Sequence, residues 1–354
     1  MTTCQIDPKA IEAIKNFSLP QELPFGKYIA PVMVVVKYNR GEWTTPELVP
    51  YAPLSIDPTC KVLHYAQEIF EGMKAYRVEG KGPFLFRPEE NMKRFNLSAK
   101  RMAMPEVPES IFMDSIMTMT RECAPIIPRR SGESLYLRPF MFASENGLGI
   151  KPAEEFIFMV VASPSGAYFS GGSVQVQIER QAIRACPDGV GFAKTGGNYA
   201  ASLFSMIEAK KRGYDQVLWL DALHKKNIEE LSGMNFFAVY NNKLVTPKLT
   251  TTILDGITRR SLIELARHHG FKVEEKEMSI DQVLNDIQSG DITEAFACGT
   301  AVIITPISHL GEANGNRYPL KQAVGEVSMK LRQSLLDLQE GRANDPFNWV
   351  KKVL

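Results

Sequence analysis

The 354-residue sequence has almost no excess of either charge: 41 Lys and Arg stand against 40 Asp and Glu, a formal net charge of +1. That balance argues against a polybasic nucleic-acid tract or membrane-surface patch, so any anionic ligand has to be gripped by a few local residues. Cysteine is also scarce. Cys4, Cys60, Cys123, Cys186 and Cys298 are scattered without a CxxC pair. This fits neither a disulfide framework nor zinc-ligand spacing, and it predicts reduced thiols and no metal. No apolar run approaches the ~20 residues of a membrane span. The stretch MTTCQIDPKAIEAIKNFSLP lacks the basic region, apolar core and small-residue cleavage site of a secretory signal. The expectation is a cytoplasmic protein that engages neither nucleic acid nor membrane.

What is present suits a globular protein. With 44% hydrophobic and 23% charged residues there is material for sizeable cores and two domains of ~150 residues each. The β-branched run Val32 to Lys37 predicts a strand, and the turn-rich stretch after it, ending before Tyr51, predicts a hairpin. Pro88 to Met104 predicts an amphipathic helix with Pro in its first turn, two glutamates beside it, and Met92, Phe95, Leu97 and Met102 at near-helical spacing. Tyr136 to Phe142 and Phe156 to Ala162 read as strands. The Ser- and Gly-rich stretch 163–173 then marks a boundary between a small first domain, 1–162, and a larger second one, 174–354.

In the second domain strands and helices alternate: Val174 to Ile178, a helix over 198–211, Val217 to Leu220, Asn235 to Val239, a helix after Gly256, and Ala295 to Ala297. Ser279 with Gln282 reads as a capping box, and Asn241 with Asn242 as a hairpin turn in a mixed sheet. The fold class expected is mixed, α+β or α/β, in two domains.

Chemistry concentrates in residues 189–201, GVGFAKTGGNYAA. A phosphate loop of the Walker type needs glycine six positions before its lysine and another immediately before it, so that backbone amides can approach the phosphates. Asp188 and Ala193 hold those places. An exposed loop lysine is the bland alternative. Val190 and Phe192 before Lys194, and Ala200, Ala201, Leu203 and Ile207 after it, point instead to a loop held between core elements. Burial would make the amine available as a nucleophile for Schiff-base chemistry.

The sequence resembles the branched-chain aminotransferases, pyridoxal-phosphate enzymes of fold type IV, over nearly its whole length. The resemblance is carried by FGKY at 25–28, YAQEIFEGMKAYR at 65–77, FRPEENMKRFN at 86–96, LYLRPFMFASENGLGI at 135–150, AKTGGNYAASL at 193–203, EELSGMNFF at 229–237, LDGITRRSL at 254–262 and ACGTAVIITP at 297–306. It implies a two-domain fold like that of D-amino-acid aminotransferase and pyridoxal 5'-phosphate as cofactor. The implied reaction is reversible transamination of L-leucine, L-isoleucine and L-valine with 2-oxoglutarate to give L-glutamate. The alternatives are another fold-type-IV enzyme, such as a D-amino-acid aminotransferase or aminodeoxychorismate lyase, a nucleotide-binding protein, or a family member retained for binding alone.

By the same resemblance Lys194 carries the covalent link to the cofactor and moves the proton between substrate Cα and the cofactor's C4′. Glu230 faces the ring nitrogen and Tyr199 the phenolic oxygen. Arg94, the amides of Ile257 and Thr258, and the Thr300 hydroxyl take the phosphate. Tyr65, Thr300 and Ala301 fall on the substrate's α-carboxylate side, while Phe70, Tyr136 and Tyr199 wall the side-chain pocket. Arg138 receives the distal carboxylate of glutamate. Leu148 and Ile150 in the GLGI loop reach the neighbouring subunit's site, which implies a homodimer. The chain departs from many relatives at Ile29 and at the Ser232–Gly233 pair, both on the pocket side, and it lacks the paired cysteines of a redox switch.

Overall fold

The computed structural model describes residues 3–166, 172–241 and 243–353. They group into two compact units: Met1–Tyr168, Ala193–Gly196 and Asp337–Leu354 in the first, Phe169–Phe192 and Gly197–Leu336 in the second. The expected boundary at 163–173 includes residues 167–171, which lie outside the described residues. The expected second domain, 174–354, needs correction, because Asp337–Leu354 returns to the first unit and makes it the longer one. Strand Val350–Lys352 adds antiparallel to Phe84–Phe86. Trp349 meets Phe86 edge-on at 5.7 Å, and Glu340 accepts the Gly132 N–H at 2.6 Å.

The first unit is built on a ten-stranded sheet. Its centre is the long antiparallel pair Ser134–Ala143 and Glu155–Ser165, flanked by Val32–Asn39 on one side and Met73–Tyr76 on the other. The helix Pro88–Arg101 has acidic residues in its first turn and basic ones in its last, an arrangement that complements the helix dipole. It packs with Glu109–Glu122 over the sheet, where Phe95, Phe112 and Phe158 meet with ring centroids 5.4 to 5.7 Å apart. Each such ring contributes roughly 2 kcal/mol by leaving water. The apolar spacing is only partly obeyed. Met92 and Phe95 are buried, Leu97 is exposed, and Asn91, Arg94 and Ser98 occupy the buried face instead.

The second unit holds a nine-stranded mixed sheet. Val174–Glu179 runs parallel to Gln216–Leu220 and to Ile303–Gly311, and antiparallel hairpins supply most of the rest. Ile228–Leu231 pairs with both Gln216–Leu220 and Met234–Tyr240, so part of the sheet closes on itself. Helix Ile280–Ser289 covers it with Ile280, Val283, Leu284 and Ile287. Ser279 stands at that helix's N-terminus, but it makes no side-chain cap and Gln282 turns to Asp286. The expected capping box is absent, and Ser279 bridges to Asn227 instead. Met234–Tyr240 and Lys243–Pro247 form the expected hairpin. Asn241 adopts φ 50°, tolerated by asparagine, and Asn242 lies outside the described residues.

A second departure concerns the helix Gly196–Lys211. It buries Asn198, Ser202, Ser205 and Ala209, while Ala200, Ala201, Leu203 and Ile207 are exposed and Phe204 is 74% exposed. Its apolar residues are not the core anchors expected beside Lys194. No helix among the described residues is long and apolar enough to cross a membrane.

Candidate active site

In the first unit, the tetrapeptide Ala193–Gly196 is pinned by its neighbours. The Lys194 backbone N–H donates to the Ser98 hydroxyl at 2.9 Å, and its carbonyl accepts the Phe70 N–H at 3.0 Å. Glu68 receives the Thr195 hydroxyl at 3.2 Å and the Gly196 N–H. Burial pushes the Glu68 carboxyl upward against those hydrogen bonds and the Arg138 charge. Lys194 is half-buried rather than buried, and its ammonium nitrogen lies 4.6 Å from the centroid of the Phe70 ring. An aromatic face is a favourable neighbour for a cation.

Ser98, Arg94 and Asn91 follow one another at helical spacing on the buried face of Pro88–Arg101. Arg94 donates to Glu71 through Nε at 2.6 Å and Nη2 at 2.9 Å, and Asn91 adds a third bond at 2.7 Å. Burial works to raise the Glu71 carboxyl. The charge and hydrogen bonds of Arg94, with the Lys194 charge and the Asn91 bond, prevail and hold it below the usual range. Sequence reasoning assigned no role to Ser98 or Glu71. Ser98 was signalled by its position one turn beyond Arg94, and Glu71 by a lone acid inside the apolar run IFEGM.

Phe70, Tyr136 and Arg138 also come together. The Arg138 guanidinium lies 4.7 Å from the Phe70 centroid and 5.4 Å from that of Tyr136. It donates to the Tyr136 hydroxyl at 3.3 Å, and its Nε is buried without a hydrogen-bond partner among the described residues. Phe25 stands edge-on to Tyr136 at 4.8 Å; the sequence placed it in a motif but gave it no role. Gly72 permits this packing, since a side-chain methyl there would fall 1.9 Å from the Tyr136 hydroxyl. The Tyr65 hydroxyl donates to the Leu148 carbonyl at 2.5 Å, on an exposed loop where Leu148 is 62% and Ile150 88% exposed.

In the second unit Glu230 is buried in the strand Ile228–Leu231. Arg184 approaches its Oε1 to 2.5 Å, the Leu254 N–H reaches the same oxygen at 3.3 Å, and Asn235 donates to Oε2 at 3.2 Å. Asn235 also bonds the Leu254 carbonyl at 3.0 Å, tying the carboxylate to the turn that opens helix Ile257–His268. That helix has Gly256 at its N-cap and no side-chain cap, so its first amides, those of Ile257 and Thr258 included, face an anion favourably. Thr300 and Ala301 form the turn after strand Glu294–Gly299. Gly299 packs close to the Gly233 carbonyl, and Tyr199 lies near Gly233 as well.

Each set has groups of the kind that a phosphorylated pyridine aldehyde requires. The first unit offers an amine on a fixed backbone and a buried guanidinium; the second offers uncapped helix amides suited to an anion and a buried carboxylate suited to a ring nitrogen. Residues 68–310 match the family model of class IV amino-transferases. The chain belongs to the class IV aminotransferase family. A probable branched-chain-amino-acid aminotransferase of Streptomyces coelicolor is 48% identical over 330 residues, covering 92% of this chain and 91% of that one. The crystal structure of the Escherichia coli branched-chain amino acid aminotransferase superposes with a TM-score of 0.74 at 29% identity, over 90% of this chain and 99% of that one. A further branched-chain amino acid aminotransferase, from T.th. and solved with pyridoxamine 5'-phosphate, gives 0.73 at 28% identity over 90% and 98%. The mixed two-unit architecture is the fold of these aminotransferases.

Proposed function

We propose that the chain, using pyridoxal 5'-phosphate, transfers the amino group of L-leucine, L-isoleucine or L-valine reversibly to 2-oxoglutarate, giving the branched 2-oxo acids and L-glutamate. The observation that carries this reading is the pinning of Lys194 on the helix that presents Arg94, with its amine over Phe70. When bound, the cofactor supplies a sink for the electron pair of the substrate Cα–H bond and stores the amino group between half-reactions.

Lys194 would hold the cofactor covalently, and its amine is the base placed to take the substrate Cα proton. Arg94, the amides of Ile257 and Thr258, and the Thr300 hydroxyl hold the phosphate. Glu230 keeps a proton on the ring nitrogen, with Arg184 and Asn235 fixing the carboxylate's orientation. Tyr199 donates to the phenolic oxygen. Phe70, Tyr136 and Tyr199 exclude water around an aliphatic side chain, and Tyr65, Thr300 and Ala301 stand on its α-carboxylate side. The Nε of Arg138, buried without a hydrogen-bond partner among the described residues, supports a role in binding an anion, here the distal carboxylate of glutamate.

We further place the chain in a cytosolic homodimer whose neighbouring subunit receives Leu148 and Ile150. Their exposure, and that of Leu203, Phe204 and Ile207, supports a surface that another chain covers. All five cysteines are free, which suits a reducing compartment.

The test is the visible spectrum of wild type and Lys194→Ala, before and after L-leucine and then 2-oxoglutarate. The wild type converts and recovers its cofactor band, and the variant does not cycle. Absence of a cofactor band after adding pyridoxal phosphate, or faster turnover of D-alanine than of L-leucine, overturns the reading.

A further inference from the structure

Glu71 lies in the turn between strands Glu68–Phe70 and Met73–Tyr76 and is 0% exposed. Its carboxylate is saturated with donors: Arg94 Nε and Nη2, the Asn91 amide, and the Gly72 N–H at 3.1 Å. Arg94 is itself only 7% exposed. An arginine so deeply placed needs a compensating anion whenever the chain is folded, because an unpaired buried charge is strongly unfavourable. A cofactor phosphate can meet that need only while the cofactor is present.

We propose that Glu71 is the resident counter-ion of the phosphate arginine. It is a positioning residue that keeps Arg94 neutralised and oriented in the cofactor-free chain, and it does so at the expense of phosphate affinity. The inference rests on the reading of Arg94 as a phosphate ligand. Glu71 occupies the Nε–Nη2 edge of the guanidinium, so it fixes the orientation in which the arginine meets an incoming anion. Its negative charge then opposes the phosphate dianion at the same arginine.

Linkage turns this into two effects of opposite sign. Neutralising Glu71 weakens the free protein more than the loaded one, where the phosphate supplies the missing anion. By the same cycle it tightens cofactor binding. An ion pair that served packing alone would weaken both forms equally.

The experiment compares full-length wild type, Glu71→Gln, Arg94→Gln and the double variant, each cofactor-free and loaded. It reads melting temperature with and without inorganic phosphate, together with pyridoxal-phosphate affinity. Glu71→Gln is expected to lower the melting temperature of the free protein by ~5–10 °C and that of the loaded protein by clearly less. Cofactor affinity is expected to rise about tenfold. The double variant regains the lost temperature and no longer responds to phosphate.

Equal losses in both forms, or weaker cofactor binding by Glu71→Gln, overturn the proposal. Where Glu71→Gln does not fold without cofactor, Glu71→Asp, which withdraws the charge by one methylene, gives the same comparison with the same two outcomes. A phosphate response that survives in Arg94→Gln instead overturns the assignment of Arg94, a separate failure.

Discussion

The Ser98 hydroxyl accepts the backbone N–H of Lys194 at 2.9 Å, so the helix that presents Arg94 also sets the height of the lysine. Ser98→Ala removes that acceptor and leaves a half-buried amide unpaired, worth about 1 kcal/mol. The expected result is a kcat about fivefold lower, with an unchanged KM for leucine and an unaltered circular-dichroism spectrum. Steady-state kinetics checks it.

Arg138 lies over Phe70 and Tyr136, and its Nε has no hydrogen-bond partner among the described residues. Arg138→Gln keeps polarity and discards the charge. It should raise the KM for 2-oxoglutarate by roughly 10- to 100-fold, the value of a charge-assisted bond, and leave 4-methyl-2-oxopentanoate almost untouched. Parallel loss for both oxo acids would assign Arg138 to the fold instead.

Glu145 bonds Lys61 at 2.7 Å, Lys151 at 3.1 Å and the Glu154 N–H at 2.6 Å, bracketing the loop that bears Leu148 and Ile150. The Lys61 bond, aided by the other two against burial, lowers its carboxyl from 4.5 to about 2. A carboxyl depressed on folding contributes its stability above the unfolded value and loses it as the pH falls through the folded one. The melting temperature should therefore fall between pH 4.5 and about 2, and Glu145→Gln should flatten that part of the curve while starting lower at neutral pH.

Gly256 is required for space. A methyl on it would come within 2.0 Å of Asn235 Oδ1, although its φ of −69° suits any residue. Gly256→Ala should dislodge Asn235 from Glu230 and weaken pyridoxal-phosphate binding by about tenfold, the value of one hydrogen bond to a charged group. Equilibrium dialysis measures it; unchanged affinity would show that the turn accommodates the methyl without moving Asn235.

Much of this architecture could be read from the sequence, because β-branched runs and helical spacing follow from local chain geometry. Val32–Asn39, Glu155–Ser165 and Pro88–Arg101 are cases in point. The failures have one physical source. The rule that apolar residues face inward assumes that nothing polar has business inside, and here two helices turn Asn91, Arg94 and Ser98, and Asn198, Ser202 and Ser205, inward while Leu97, Leu203 and Ile207 stay out. Periodicity does not register such inversions. Nor could local pattern reveal that the short Val350–Lys352 strand pairs far back along the chain with Phe84–Phe86. The motifs supplied Lys194, Arg94 and Glu230, and three-dimensional contact was needed for Glu71, Ser98 and Asn235.

The late return of Val350–Lys352 has a consequence for the order of events on the ribosome. The strand Phe84–Phe86, which leads into the Arg94 helix, waits for its edge partner until more than two hundred further residues have been made. Lys194 also emerges about a hundred residues after Ser98, its seat. Domains that complete themselves early can fold as they leave the exit tunnel; the first unit of this chain cannot, because its outermost strand and its lysine strap are both still to come. Completion of the first unit is thus an event of the nearly complete polypeptide, and a nascent chain stalled before residue 350 should display the arginine helix without the edge strand that closes its sheet.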